Sequence, residues 1–318
     1  IGKSIIYKAA NGVNGWVTNL SGDYNTNELS YLHSPCFDLS SLTQPVLSFS
    51  HIFDIEQDYD YTWVEYSTDG KVWNKLGTVG DGTNWYDNAG ADNWRLSKIT
   101  WHVASIDVPP YAGNMRFRIV MASDGGVNYE GAGIDDVHVF DKALIYTGSP
   151  LSGTTQNVNG TGWVNFYNAG KIIASINPNG QNLGITTVDV YPYAGAIRNS
   201  NNQYYLDRNI VVKSANPPTG NVKVRFYFTD TEANNIVTAT SCGSCTLVTD
   251  PYELGVTKYN GDINDENGVL DDDLTGFFQF ITPVNTEIIP YDNGYYAEFT
   301  VNSFSECWLS LDDIKPAA

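Results

Sequence analysis

Positive charge is scarce in this chain. Across 318 residues, 17 lysines and arginines stand against 36 aspartates and glutamates, for a formal net charge of -19. A surface of that sign repels phosphate backbones and anionic headgroups, so nucleic acid is not an expected partner. Long apolar runs are missing as well. No stretch reaches the roughly 18 residues that would span a bilayer as a helix, so membrane insertion is not expected. Histidine occurs only at His33, His51, His102 and His138, all in the first half, so the second half cannot build a histidine-based triad. No H-E-x-x-H, G-x-S-x-G or phosphate-binding loop is present. Carboxylates are plentiful, but abundance in an acidic chain does not define a matched glycosidase pair. The chain therefore reads as non-catalytic, with a hydrolase fragment as the less favoured alternative.

Cysteine is limited to Cys36, Cys242, Cys245 and Cys307. The Cys242-x-x-Cys245 pair lacks the second ligand pair that tetrahedral zinc requires. It also sits in a Thr/Ser-rich stretch without the βαβ pattern of a thioredoxin-like redox site. A loop disulfide is the favoured reading. Cys36 and Cys307 read as buried thiols, or Cys307 pairs with another cysteine; the connectivity stays open. The chain opens at Ile1 with no signal-peptide core, which predicts a mature or excised piece of something longer.

What is abundant is Gly, Asn, Ser, Thr and Tyr, with apolar residues in short alternation. That composition and period predict strands and turns. Leu47 and Phe49 share a face within Val46 to Phe53, and Met115, Phe117 and Ile119 share one opposite Arg116 and Arg118. Thr62 to Gly77 reads as a hairpin turning at Asp69-Gly70, and Ile134 to Phe140 as a further strand. Gly, Pro, Ser, Thr and Asn then crowd together from Ala143 onward. The second half resumes the strand pattern at Lys171, Thr186, Tyr204, Val222 and Tyr295. The fold class is therefore all-β, as two consecutive β-sandwich domains. The first spans 1–142, a linker 143–158 and the second 159–314, with 315–318 as a tail.

Two segments, Asp54 to Gly70 (DIEQDYDYTWVEYSTDG) and Arg116 to Asp141 (RFRIVMASDGGVNYEGAGIDDVHVFD), carry a resemblance. Over residues 30–141 the chain resembles the MAM-like jelly-roll modules appended to immune inhibitor A-type secreted metalloproteases; reelin-type repeats and cleaved-adhesin modules are more distant. The second half, through YYLDRNIVV, VRFYFTD, VTKYNGD and GYYAEFTVNSFSECWLSL, resembles the region ahead of the C-terminal sorting domain in type IX secretion substrates. The resemblance implies a jelly-roll first domain, structural Ca²⁺, and an accessory or adhesive role in an extracellular or cell-surface multidomain protein. The implied partners are a protein or glycan at the cell surface and other domains of the parent chain.

The residues themselves point the same way. Asp54, Glu56, Asp58 and Asp60 recur at every second position, which in an extended strand would line up like charges about 7 Å apart. A turn that splays them into solvent would relieve the repulsion. So would a hard cation, since Ca²⁺ takes about 6 to 8 oxygens at roughly 2.3 to 2.6 Å. The glycine-rich stretch from Ser123 to Asp136 offers Asp124, Asn128, Glu130, Asp135 and Asp136 as partners. The expected ligands are a subset of Asp54, Glu56, Asp60, Asp124, Asn128, Asp135 and Asp136, and strand alternation allows only one of Asp135 and Asp136 to face the ion.

A second acidic run, Gly261 to Asp273, fails as an EF-hand. With Asp262 first, Asn267 falls on the invariant glycine position and Asp273 on that of the bidentate glutamate. A solvated loop is the favoured reading, with a non-EF calcium site as its alternative. Sugar binding is the remaining rival function, because jelly-rolls host many carbohydrate-binding modules. Trp85, Tyr86 and Trp94 fall in a Gly/Asn/Asp-rich stretch expected to be an exposed loop, where rings would be free to stack on a glycan. Trp63 and Trp73 fall in strand patterns and are expected to pack.

Overall fold

A computed structural model of the chain describes residues 3–261 and 265–316. Strands dominate, joined by one short helix and a few single turns. By internal contacts the chain divides into two compact units. One comprises Ile1–Lys142 with Pro290–Asn293, the other Ala143–Ile289 with Gly294–Ala318. Among the described residues, no helix is long and apolar enough to cross a membrane.

The first unit is a sandwich of two antiparallel sheets. One runs in the order Trp16–Val17, Gly131–Asp141, Pro45–Asp54, Lys98–Asp107, Gly82–Thr83; the other in the order Leu29–His33, Asn114–Ala122, Tyr61–Ser67, Asn74–Lys75, with Phe37–Asp38 also paired to Asn114–Ala122. The long strands alternate between the sheets in chain order, as a jelly-roll requires. Asn114–Ala122 buries Met115, Phe117 and Ile119 on its inner face, and these meet Leu47, Phe49 and Phe53 from the opposite sheet. Pro45–Asp54 is the central strand of its sheet and is buried on both faces, so the polar Ser48, Ser50 and His51 that alternate with its apolar residues are buried as well. The hairpin forms as expected, with Glu65 opposite Lys75 and Gly70 in the left-handed region at φ 71°.

The second unit pairs a seven-stranded sheet with a five-stranded one, all antiparallel. In the larger sheet, Glu306–Ser310 lies between Gln203–Ser214 and Gly255–Asn260 and is buried along its whole length. The helix Asp230–Val237 follows strand Val222–Thr229 through a capping box, in which the Thr229 hydroxyl accepts from Glu232 N–H and Glu232 accepts from Thr229 N–H. It buries Ala233 and Ile236.

Three expectations need correction. Leu151–Asn159, placed within the linker, is the edge strand of the larger sheet, hydrogen-bonded along Asn182–Pro192. Only one of its flanks is paired and most of its side chains face solvent, so its polar composition imitates a loop. Cys36 is exposed and not a buried thiol, whereas Cys307 is buried and free. Trp85, Tyr86 and Trp94 are core residues, exposed by only 2 %, 5 % and 1 %. Their stretch folds back between the sheets. Trp94 exchanges backbone hydrogen bonds with Thr62, the Trp94 indole donates to the Asn84 carbonyl at 2.9 Å, and the Trp85 indole donates to the Leu76 carbonyl at 3.1 Å. With ring centroids 5.1 Å apart and edge-on, Trp85 and Trp94 fill the core and present no face to a sugar.

Candidate metal centre

Three loop ends converge at one rim of the first sandwich. Tyr61–Ser67 and Asn114–Ala122 are paired with Tyr61 opposite Ala122, so the residues just beyond, Asp60 and Asp124, emerge side by side. Pro45–Asp54 ends a few residues before Asp60, and the turn between them delivers Glu56. Among the described residues, Glu56, Asp60 and Asp124 form the one set of three metal-ligating side chains whose ligand atoms all lie within 4.8 Å of one another.

Surrounding donors aim these carboxylates. Asp60 is fully buried; its Oδ1 accepts from Asp124 N–H at 2.9 Å and its Oδ2 from the Tyr24 hydroxyl. Tyr24 also accepts from Glu56 N–H at 3.1 Å, so a single buried phenol ties two of the three ligands together. Burial, and then the Asp60 contact, push the Tyr24 hydroxyl well above its ordinary value, so it stays protonated and donating. Glu56 Oε2 accepts from Val127 N–H at 3.1 Å and Asp124 Oδ1 from Gly126 N–H at 2.6 Å. Gly126 lies close against two of the carboxylates: a Cβ there would come within 2.9 Å of Asp124 Oδ1 and 3.1 Å of Glu56 Oε2, so a side chain would have to push them aside. Asn128, on the same turn, holds a buried Oδ1 with no hydrogen-bond partner among the described residues.

Asp54, Glu130 and Asp135 accept hydrogen bonds from the backbone. Asp54 lies opposite Gly131 in the sheet and accepts from Glu130 N–H at 3.0 Å; burial raises its pKa. Glu130 accepts from the backbone N–H groups of Ser4, Ile5 and Ile6 and from the Ser4 hydroxyl. Burial opposes its ionisation, yet these donors hold it down at about 2. Asp135 accepts from Ala10 and Asn11 N–H at 3.1 and 3.2 Å, which secures the amino-terminal segment. Asp136, in the left-handed region at φ 46°, lies where the register to Pro45–Asp54 shifts, so the alternation expected to divide Asp135 from Asp136 is broken by a bulge. Neither belongs to the converging set. Asp58 turns outward at φ 68° and pairs with Arg95 at 2.8 Å.

The second acidic loop departs from expectation. Asp262, of the EF-like register, lies outside the described residues together with Ile263 and Asn264. Glu266 and Asp273, expected to be solvated, are 9 % and 2 % exposed. They lie against Glu306, which is fully buried on the central strand of the larger sheet. Burial, and then the charge of Asp273, push Glu306 to about 9. Burial, with Asp272, Asp265 and Glu266 beside it, pushes Asp273 to about 8. The sequence signal for Glu306 was a charged residue directly before the apolar run CWLSL, which is easily taken for a strand-end solvent contact.

Cys242 and Cys245 form a disulfide. No protein-family model matches the chain. Over 136 residues it is 29% identical to Bacillopeptidase F of Bacillus subtilis (strain 168), a match that covers 42% of this chain and 8% of that protein. Among solved structures it is similar to dimeric latent PorU from Porphyromonas gingivalis, at 11% identity and a TM-score of 0.22, covering 100% of this chain and 21% of that one. The chain is thus an all-β pair of sandwiches with similarity to a small part of a much longer peptidase.

Proposed function

We propose that this chain is a non-catalytic accessory pair of β-sandwich modules in an extracellular multidomain protein, and that a calcium ion held by Glu56, Asp60, Asp124 and Asn128 stabilises the first module. The observation that carries this reading is the convergence of three carboxylates around a turn where the backbone at Gly126 comes close to two of them. The donor set is entirely hard oxygen, which suits Ca²⁺ or Mg²⁺ and not zinc. Ligands drawn from three irregular loop ends favour calcium, because Mg²⁺ demands near-ideal octahedral geometry. The unpartnered Asn128 Oδ1 supplies a neutral oxygen of the kind calcium sites combine with carboxylates. The similarity to a segment of a peptidase supports a place beside a catalytic domain.

The rival readings lose their residues. The three rings offered to a glycan are in the core. For hydrolysis, a pair of carboxyls with raised pKa does exist in Asp273 and Glu306, but at 2 % and 0 % exposure it has no opening to a substrate. His51 is fully buried and packs edge-on against Phe53, a position for a core ring and not for a general base.

A native-state ligand at about 100 times its dissociation constant adds roughly 2.7 kcal/mol of stability. Thermal melting of the chain in EDTA and in millimolar Ca²⁺ should therefore show a clear upward shift with calcium, and Asp60→Asn with Asp124→Asn should remove most of that shift. Equal melting temperatures of the wild-type chain in both buffers would reject the reading.

A further inference from the structure

We infer that the second sandwich holds its own divalent-cation site, built from Asp273, Glu306 and Asn209 beneath the loop that closes over the larger sheet. Glu306 and Asn209 are neighbours on adjacent strands, since Asn209 lies opposite Trp308 and Val211 opposite Glu306. Both side chains are fully buried. The Asn209 amide and the Gly268 N–H of the covering loop both donate to Glu306 Oε1. That leaves Glu306 Oε2 and Asn209 Oδ1, both buried, with no hydrogen-bond partner among the described residues. The loop then brings Asp273 down, 2 % exposed, with both carboxylate oxygens buried and likewise without a partner. Leu270 packs against Tyr205 and Trp308 and so clamps the loop onto the sheet.

Four buried oxygens without donors are costly in a folded protein, and two of the groups are carboxylates with Glu266 close by. Among the described residues, the nearby Lys258 ammonium donates to the neutral groups of Asn260 and Ser303, and no ion pair to Asp273 or Glu306 is formed. The missing partner is thus one that accepts many oxygens and brings positive charge, a description that fits a hard divalent ion of the size of Ca²⁺. This site shares no residue with Glu56, Asp60 and Asp124, so either can be wrong without the other.

The test uses the full chain carrying Asp60→Asn and Asp124→Asn, which isolates the second site. Equilibrium dialysis against Ca²⁺ should find one ion per chain, and bound Tb³⁺ should luminesce on indole excitation, because Trp308 sits two residues from Glu306 on the same strand. Adding Asp273→Asn should lower Ca²⁺ affinity at least tenfold. Glu306→Gln provides a second variant with the same expected loss. Absence of Ca²⁺ binding by the folded double variant at millimolar concentration would overturn the inference. So would unchanged affinity in both Asp273→Asn and Glu306→Gln.

Discussion

His51 and His102 face each other across adjacent strands of the first sandwich, with ring centroids 3.8 Å apart. His51 is fully buried and neither ring nitrogen has a hydrogen-bond partner among the described residues. Burial, followed by the neighbouring His102 and Lys98, lowers the pKa of His51 well below its ordinary value; burial, then Lys98, lowers that of His102 to about 3. Both groups thus have a folded-state pKa below the unfolded value near 6.5. Their contribution to stability is complete above that pH and is lost as pH falls toward 3, at up to about 1.4 kcal/mol per pH unit for each ring. Denaturant melts in EDTA at pH 7 and pH 5 should show this loss, and a His51→Leu, His102→Leu variant should lose distinctly less between the two; an identical pH dependence would remove the pair from the explanation. At this scale the sequence disclosed chemistry better than place. Glu56, Asp60 and Asp124 were nameable from acidic spacing and a glycine-rich partner segment. Whether Asp54 or Asp135 joined them depended on which backbone N–H groups each met, and no spacing encodes that.

Among elements, regular ones were legible and re-entrant ones were not. Alternation in Asn114–Ala122 and the Asp69-Gly70 turn are local properties, so strand and hairpin followed from the residues alone. The segment from Gly82 to Arg95 has the composition of a surface loop because Asn84 and Asp92 take the left-handed region and Asn88 to Asp92 make a tight turn, while its Trp85, Tyr86 and Trp94 rings do the packing. The two roles are superimposed on one stretch of chain, and composition reports only the first. Trp94→Ala should therefore behave as a core truncation, costing about 3–5 kcal/mol in chemical denaturation. A cost within about 0.5 kcal/mol, as expected of an exposed residue, would return this segment to the surface. The edge strand Leu151–Asn159 was missed for the converse reason: with mostly exposed side chains, it lacks the apolar face that announces a strand.

For the whole molecule, fold class followed from the scarcity of helical periodicity and the frequency of turns, and the two-sheet construction of each unit agrees with it. The net charge of -19 takes on a specific sense at this scale. Part of the acidity is gathered at the rim where Glu56, Asp60 and Asp124 meet, and part is buried around Glu306, which a charge count alone cannot separate from a solvated surface. The match to the peptidase covers 8% of that protein's length.

The most direct measurement is the anomalous difference map of a crystal of this chain grown in millimolar Ca²⁺. The expected result is a peak at roughly 2.3 to 2.6 Å from oxygens of Glu56, Asp60, Asp124 and Asn128. A well-ordered rim carrying no peak there, with those oxygens bonded to water or to a lysine, would contradict the calcium-stabilised first module.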